Sequence, residues 1–166
     1  TQENKNDVID IYIGLDFGTS YTKAVIRYSQ DSYIVDWSGI SNFPNSNTLP
    51  SELSIEKNNP NNFNVGRAPD SDIFSNLKIP LLEKRATKEE EDRVVIYLSL
   101  VLRYIRQWWH KHDIYPDANL RWNLTIGLPA KDNTHESLHK QYISLTNKAW
   151  AMSFKKNNTL ELELNC

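Results

Sequence analysis

Six consecutive residues, Asp16-Phe17-Gly18-Thr19-Ser20-Tyr21, carry the densest chemistry in this 166-residue chain. A carboxylate is followed by a glycine and two hydroxyl side chains, in a stretch short enough to be one tight turn. The backbone N–H groups of Gly18, Thr19, Ser20 and Tyr21, with the two hydroxyls, can converge on an anion with no side chain in the way. Asp16, beside them, can hold a Mg²⁺ ion directly or through its waters, because that hard cation takes oxygen ligands and keeps water when it bridges phosphates. Together these residues suit a Mg-nucleotide. An ordinary hairpin whose Asp and Thr satisfy the turn accounts for the same residues, and both readings stand at this point.

The elements that must position this stretch are legible around it. Ile9, Ile11, Ile13 and Leu15 alternate with Asp10, Tyr12, Gly14 and Asp16, the period-two pattern of a strand with one apolar face. A second β-prone run, Lys23 to Tyr28, follows the turn, and Gly18 is expected to take a backbone angle that a residue with a Cβ resists. A third strand is expected over Ser32 to Trp37. Residues 38–64 are rich in Asn, Ser and Pro and predict a loop-rich excursion with one short β-like run, Glu52 to Glu56. Asn58-Asn59-Pro60-Asn61-Asn62 reads as solvated turn.

The acidic run Glu89 to Asp92 suits the positive end of a helix dipole, and Val94, Leu98, Val101, Ile105 and Trp108 then recur at spacings of four and three. They predict a long helix with one broad buried face, whose aromatic residues are core packing and not a base-stacking platform, because no basic groove accompanies them. His110 and His112, two apart, do not share a helical face and make a poor metal pair. Arg121 to Ala130 alternates into a strand that stops at Pro129; a helix from about Thr134 to Met152 and a last strand, Leu160 to Leu164, follow.

Asp16-Phe17-Gly18-Thr19-Ser20-Tyr21 resembles the first phosphate motif of the actin, sugar-kinase and Hsp70 ATPase superfamily, and the surrounding chain is most similar to the Hsp70 branch. Thr48-Leu49-Pro50-Ser51 and Asn64-Val65-Gly66 resemble the Thr-Pro-Ser and Ile-Gly segments of that branch, and Leu124 to Ala130 its Val-Thr-Val-Pro-Ala strand. Phe74-Ser75-Asn76-Leu77-Lys78 resembles its Phe-x-x-Lys segment with one residue extra. The resemblance implies that Lys78 stabilises charge on the transferred γ-phosphoryl group, that Asp16 sits at the metal, and that Gly18 to Tyr21 hold the phosphates of ATP or ADP. A plain surface lysine is the other reading of Lys78.

The implied fold is an α/β, ribonuclease-H-like (actin-like ATPase) lobe with a mixed sheet. Residues 8–37 and 121–166 would form the core sheet and helix, residues 38–120 a loop-rich and helical side subdomain, and residues 1–7 a disordered tail. The implied function is that of the N-terminal part of an Hsp70-like ATPase, chaperone-like, with nucleotide and a protein client or partner as ligands. The resemblance reaches only the first half of such an ATPase region, so the remainder of the domain is needed to complete the cleft. These residues alone are expected to hydrolyse little ATP, because hydrolysis depends on positioning.

Composition bounds the alternatives. The 19 basic and 21 acidic residues give a net charge of −2, so no strong field recruits nucleic acid or an anionic membrane. The single cysteine, Cys166, excludes an internal disulfide framework, and a cytoplasmic location is expected. The polar start lacks the apolar core of a signal peptide, and the missing initiator Met suggests a processed or excised piece. Three other functions stay in view: an actin-like filament-forming ATPase, a non-enzymatic interaction module on the same fold, and a zinc hydrolase. The last rests on His135-Glu136-Ser137-Leu138-His139, in which both histidines would bind Zn²⁺ and Glu136 would act as base, with Glu161 or Glu163 as third ligand.

Overall fold

The computed structural model describes residues 8–112, 119–127 and 136–155. Its centre is a sheet that starts with β1 (Val8–Phe17) and β2 (Tyr21–Tyr28), an antiparallel pair joined by the turn at 18–20. Alternation decides which face is core: Ile11, Ile13, Leu15 and Phe17 of β1 and Thr22, Ala24 and Ile26 of β2 are buried, whereas Tyr12 and Val25 are exposed on the other face. A third strand, β3 (Asp31–Ile34), pairs antiparallel with β2 and is exposed along its length. It starts and ends earlier than the sequence predicts. Asp36 accepts a hydrogen bond from the Ser38 amide, which bends the chain, and Trp37 turns inward to stack on Tyr104 at 5.5 Å.

The segment expected to be loop-rich is more ordered than its composition suggests. Leu49–Pro50 forms a short strand, β4, on β2, and β5 (Leu53–Glu56), β6 (Asn59–Val65) and β7 (Ser71–Phe74) make a second sheet in the order β6-β5-β7. Of the Asn- and Pro-rich run read as solvated turn, Asn58 is in a turn, whereas Asn59 to Asn62, exposed as expected, open β6. It is an edge strand, where a proline near its start costs no central ladder bond, and only Phe63 and Val65 pack inward.

A short helix, α1 (Ile79–Leu82), precedes the long helix α2 (Lys88–His112). The start of α2 is a reciprocal cap: the Glu90 amide donates to Thr87 Oγ1 at 3.2 Å while Glu90 Oε2 accepts from the Thr87 amide at 2.8 Å. Glu89, Glu90 and Glu91 fill the first turn, as the dipole favours. Grouped with the side subdomain by sequence, α2 packs against both sheets. Tyr97 meets Phe17 of β1, Trp109 meets Tyr28 of β2, and Arg93 lies 3.9 Å from the Phe74 ring of β7.

The last described elements are β8 (Asn119–Ile126) and α3 (Glu136–Met152). β8 pairs parallel with β1, so the large sheet runs β3-β2-β1-β8 and is mixed. α3 buries Leu138, Tyr142, Leu145, Ala149 and Met152, the face the periodicity predicts. The Pro129-Ala130 segment and the strand expected at 160–164 lie outside the described residues. Among the described residues no helix is long and apolar enough to cross a membrane.

Candidate functional site

The turn between β1 and β2 is closed by the Gly18 amide, which donates to the Tyr21 carbonyl at 3.0 Å. Gly18 is required by crowding and not by the backbone angle the sequence suggests. A Cβ there would stand 2.4 Å from that carbonyl, and Gly66, not Gly18, is the glycine with positive φ. Because the Gly18 N–H is engaged, it drops out of the expected cradle. Among the described residues the amides of Thr19 and Ser20 have no backbone partner.

Two carbonyls of the turn are held from behind by one residue of the next segment. Ser51, just after β4, donates its amide to the Ser20 carbonyl at 2.9 Å and its hydroxyl to the Gly18 carbonyl at 2.8 Å.

Lys78 reaches the same place from 61 residues further along. Its Nζ donates to the Phe17 carbonyl at 2.9 Å and lies 5.7 Å from the centre of the Tyr142 ring. Asn76 takes a left-handed turn (φ 54°), which asparagine tolerates, and Leu77 and Leu81 are buried on either side of the lysine. Burial pulls the Lys78 ammonium below its ordinary pKa, and the Asp16 carboxylate opposes that shift. Lys78 thus reaches the end of β1, the strand that carries Asp16.

Tyr142 joins them from α3. Its hydroxyl is buried and has no hydrogen-bond partner among the described residues. Burial first, and the negative charge of Asp16 second, push its phenol pKa up, so it remains an O–H donor. Its helical spacing hid it among core residues in the sequence.

Thr19, Ser20 and Tyr21 face a different space, a cavity of about 590 Å³ between the hairpin tip and the second sheet. Tyr21 pairs with Phe43 there at 5.3 Å. Across it stands Arg67, held by two hydrogen bonds to Glu52 at 3.0 and 3.1 Å. That volume suits a small-molecule ligand. Asp16 and Lys78 are not among its walls, so the expected site residues divide between the two flanks of one turn.

The donors on the two flanks are of the kinds that Mg²⁺ and phosphate take: an exposed carboxylate and an ammonium on one, two hydroxyls and two amides on the other. Of the zinc pattern, His135 lies outside the described residues, as do Glu161 and Glu163. Glu136 is exposed and ion-paired with Lys140 at 2.9 Å. No family model matches this chain, and no curated protein matches it.

Proposed function

We propose that this chain is the N-terminal lobe of an Hsp70-like, Mg-ATP-binding ATPase with a chaperone-like role, built on a ribonuclease-H-like fold. The observation that carries the reading is the placement of Lys78. A lysine from a separate segment, flanked by buried leucines, sets its ammonium on the carbonyl next to Asp16 at the mouth of the hairpin. An ammonium there is positioned to meet negative charge developing on a transferred phosphoryl group. The mixed order β3-β2-β1-β8, with the turn at the end of the central pair, supports the same reading.

In this assignment Asp16 holds the water shell of Mg²⁺, the amides and hydroxyls of Thr19 and Ser20 bind phosphate oxygens, and Lys78 acts as the catalytic cation. Magnesium would neutralise charge on the phosphates when bound. Single-turnover ATP hydrolysis by the full-length protein tests the claim. Lys78→Ala should slow the chemical step about a hundredfold or more while leaving the fold intact, the scale of losing one preorganised charge contact. An unchanged rate in that variant would remove Lys78 from the site.

A further inference from the structure

Tyr97 of α2 lies fully buried with its ring 5.6 Å from that of Phe17. Its hydroxyl donates to Thr22 Oγ1 at 2.8 Å, with the Pro50 carbonyl a longer contact at 3.2 Å. Thr22 Oγ1 is 2.9 Å from Ser51 Oγ, which is 2.8 Å from the Gly18 carbonyl. The direction of this file follows from its last member. A carbonyl only accepts, so Ser51 must spend its one proton on Gly18 and accept from Thr22, and Thr22 must in turn accept from Tyr97. Tyr97, Thr22 and Ser51 are each at most 1% exposed, so water does not compete for these bonds.

Peptide planarity carries the effect to the front of the turn. In a trans peptide the N–H points opposite the C=O of the same unit. By holding the Gly18 carbonyl, the Ser51 hydroxyl therefore aims the Thr19 amide to the other side, and a hydrogen-bonded carbonyl makes its amide a stronger donor.

We propose that Tyr97, Thr22 and Ser51 are positioning residues for the anion cradle, through which helix α2 fixes the orientation of the Thr19 amide. The inference rests on the reading of the hairpin tip as a phosphate site. It adds that the cradle is set by a one-way file of three buried hydroxyls.

The test uses the full-length protein with ¹⁵N labelling, first without ligand and then with Mg-ATP. Tyr97→Phe and Thr22→Val should shift the Thr19 amide resonance and leave distant ones in place. Each variant should weaken Mg-ATP binding about tenfold, the scale of one hydrogen bond. Thr22→Ser, which keeps the hydroxyl, should restore both. An unmoved Thr19 resonance in Tyr97→Phe, or a Thr22→Ser protein indistinguishable from Thr22→Val, would overturn the proposal. Should the unaltered protein ignore Mg-ATP, the nucleotide reading of the tip fails, and the amide resonances alone decide whether the file positions the turn.

Discussion

The two walls of the cavity at the hairpin tip are built on opposite plans. One wall is the turn between β1 and β2, backed by Phe17, Tyr97 and Tyr142 and pinned by Ser51. The other is the second sheet, whose edge strand β6 packs only through Phe63 and Val65 and whose charged residue, Arg67, is exposed and held by Glu52. Even their glycines differ: Gly18 has no room for a Cβ, whereas Gly66 has φ 78° with nothing within 4 Å. The difference teaches that the two walls are held by different means: the turn by buried rings and the Ser51 bonds, the second sheet at Gly66 by hydrogen bonds with Glu52 and Ser54.

The contrast can be broken most forcefully at the two phenylalanines. Phe17→Ala should cost about 3–5 kcal/mol by denaturant unfolding, since it empties a fully buried site. Phe63→Ala, on the half-buried edge strand, should cost about 1 kcal/mol. Equal losses would mean that the second sheet is as firmly built as the first.

The glycines sharpen it further. Gly18→Ala should destabilise by about 2–3 kcal/mol, because its Cβ would overlap the Tyr21 carbonyl and force the turn open. Gly66→Ala faces only the strain of a left-handed backbone, about 1–2 kcal/mol, with no clash to relieve.

Next in size is Tyr142→Phe. Removing a buried hydroxyl that has no partner should raise the unfolding free energy of the nucleotide-free protein by about 1 kcal/mol. A loss of stability would mean that the hydroxyl is satisfied by a group bound between it and Asp16.

The smallest effect is expected on the open face of the large sheet. Hydrogen bonds from Arg121 and Asn123 hold the Asp10 carboxyl at about 2, below its ordinary 3.8. Because the folded value is the lower one, the contribution is fully present above the ordinary value and is lost as pH falls through about 2. Asp10→Asn should flatten the acid limb of the stability curve in that window and leave neutral pH nearly unchanged, as befits an exposed pair.

Much of the first wall was legible in the sequence, because strand alternation and helix periodicity report burial directly. Ile11, Ile13 and Leu15 on β1, and Leu138, Tyr142 and Leu145 on α3, fall where their spacing puts them. Of the second sheet only β5 was legible, as the β-like run Glu52 to Glu56; turn-forming asparagines dominate β6, and an edge strand buries too few residues to show a period. That Lys78 reaches the Phe17 carbonyl is decided by long-range packing, which no local pattern reports. The functions of Ser51 and Tyr142 were not legible, since one is a long-range hydrogen bond and the other an orphaned hydroxyl on a residue that spacing marks as core. Gly18 was the right residue for a different reason, a steric one that only the closed turn reveals.

Titration calorimetry of the full-length protein with ATP, with and without Mg²⁺, tests the central claim most directly when the unaltered protein is set against Asp16→Ala. The account predicts saturable, Mg²⁺-dependent binding that weakens at least about tenfold in the variant, the scale of one lost charge-assisted contact. Binding of equal strength in both proteins, or no binding in the unaltered one, would contradict a nucleotide site at the end of β1.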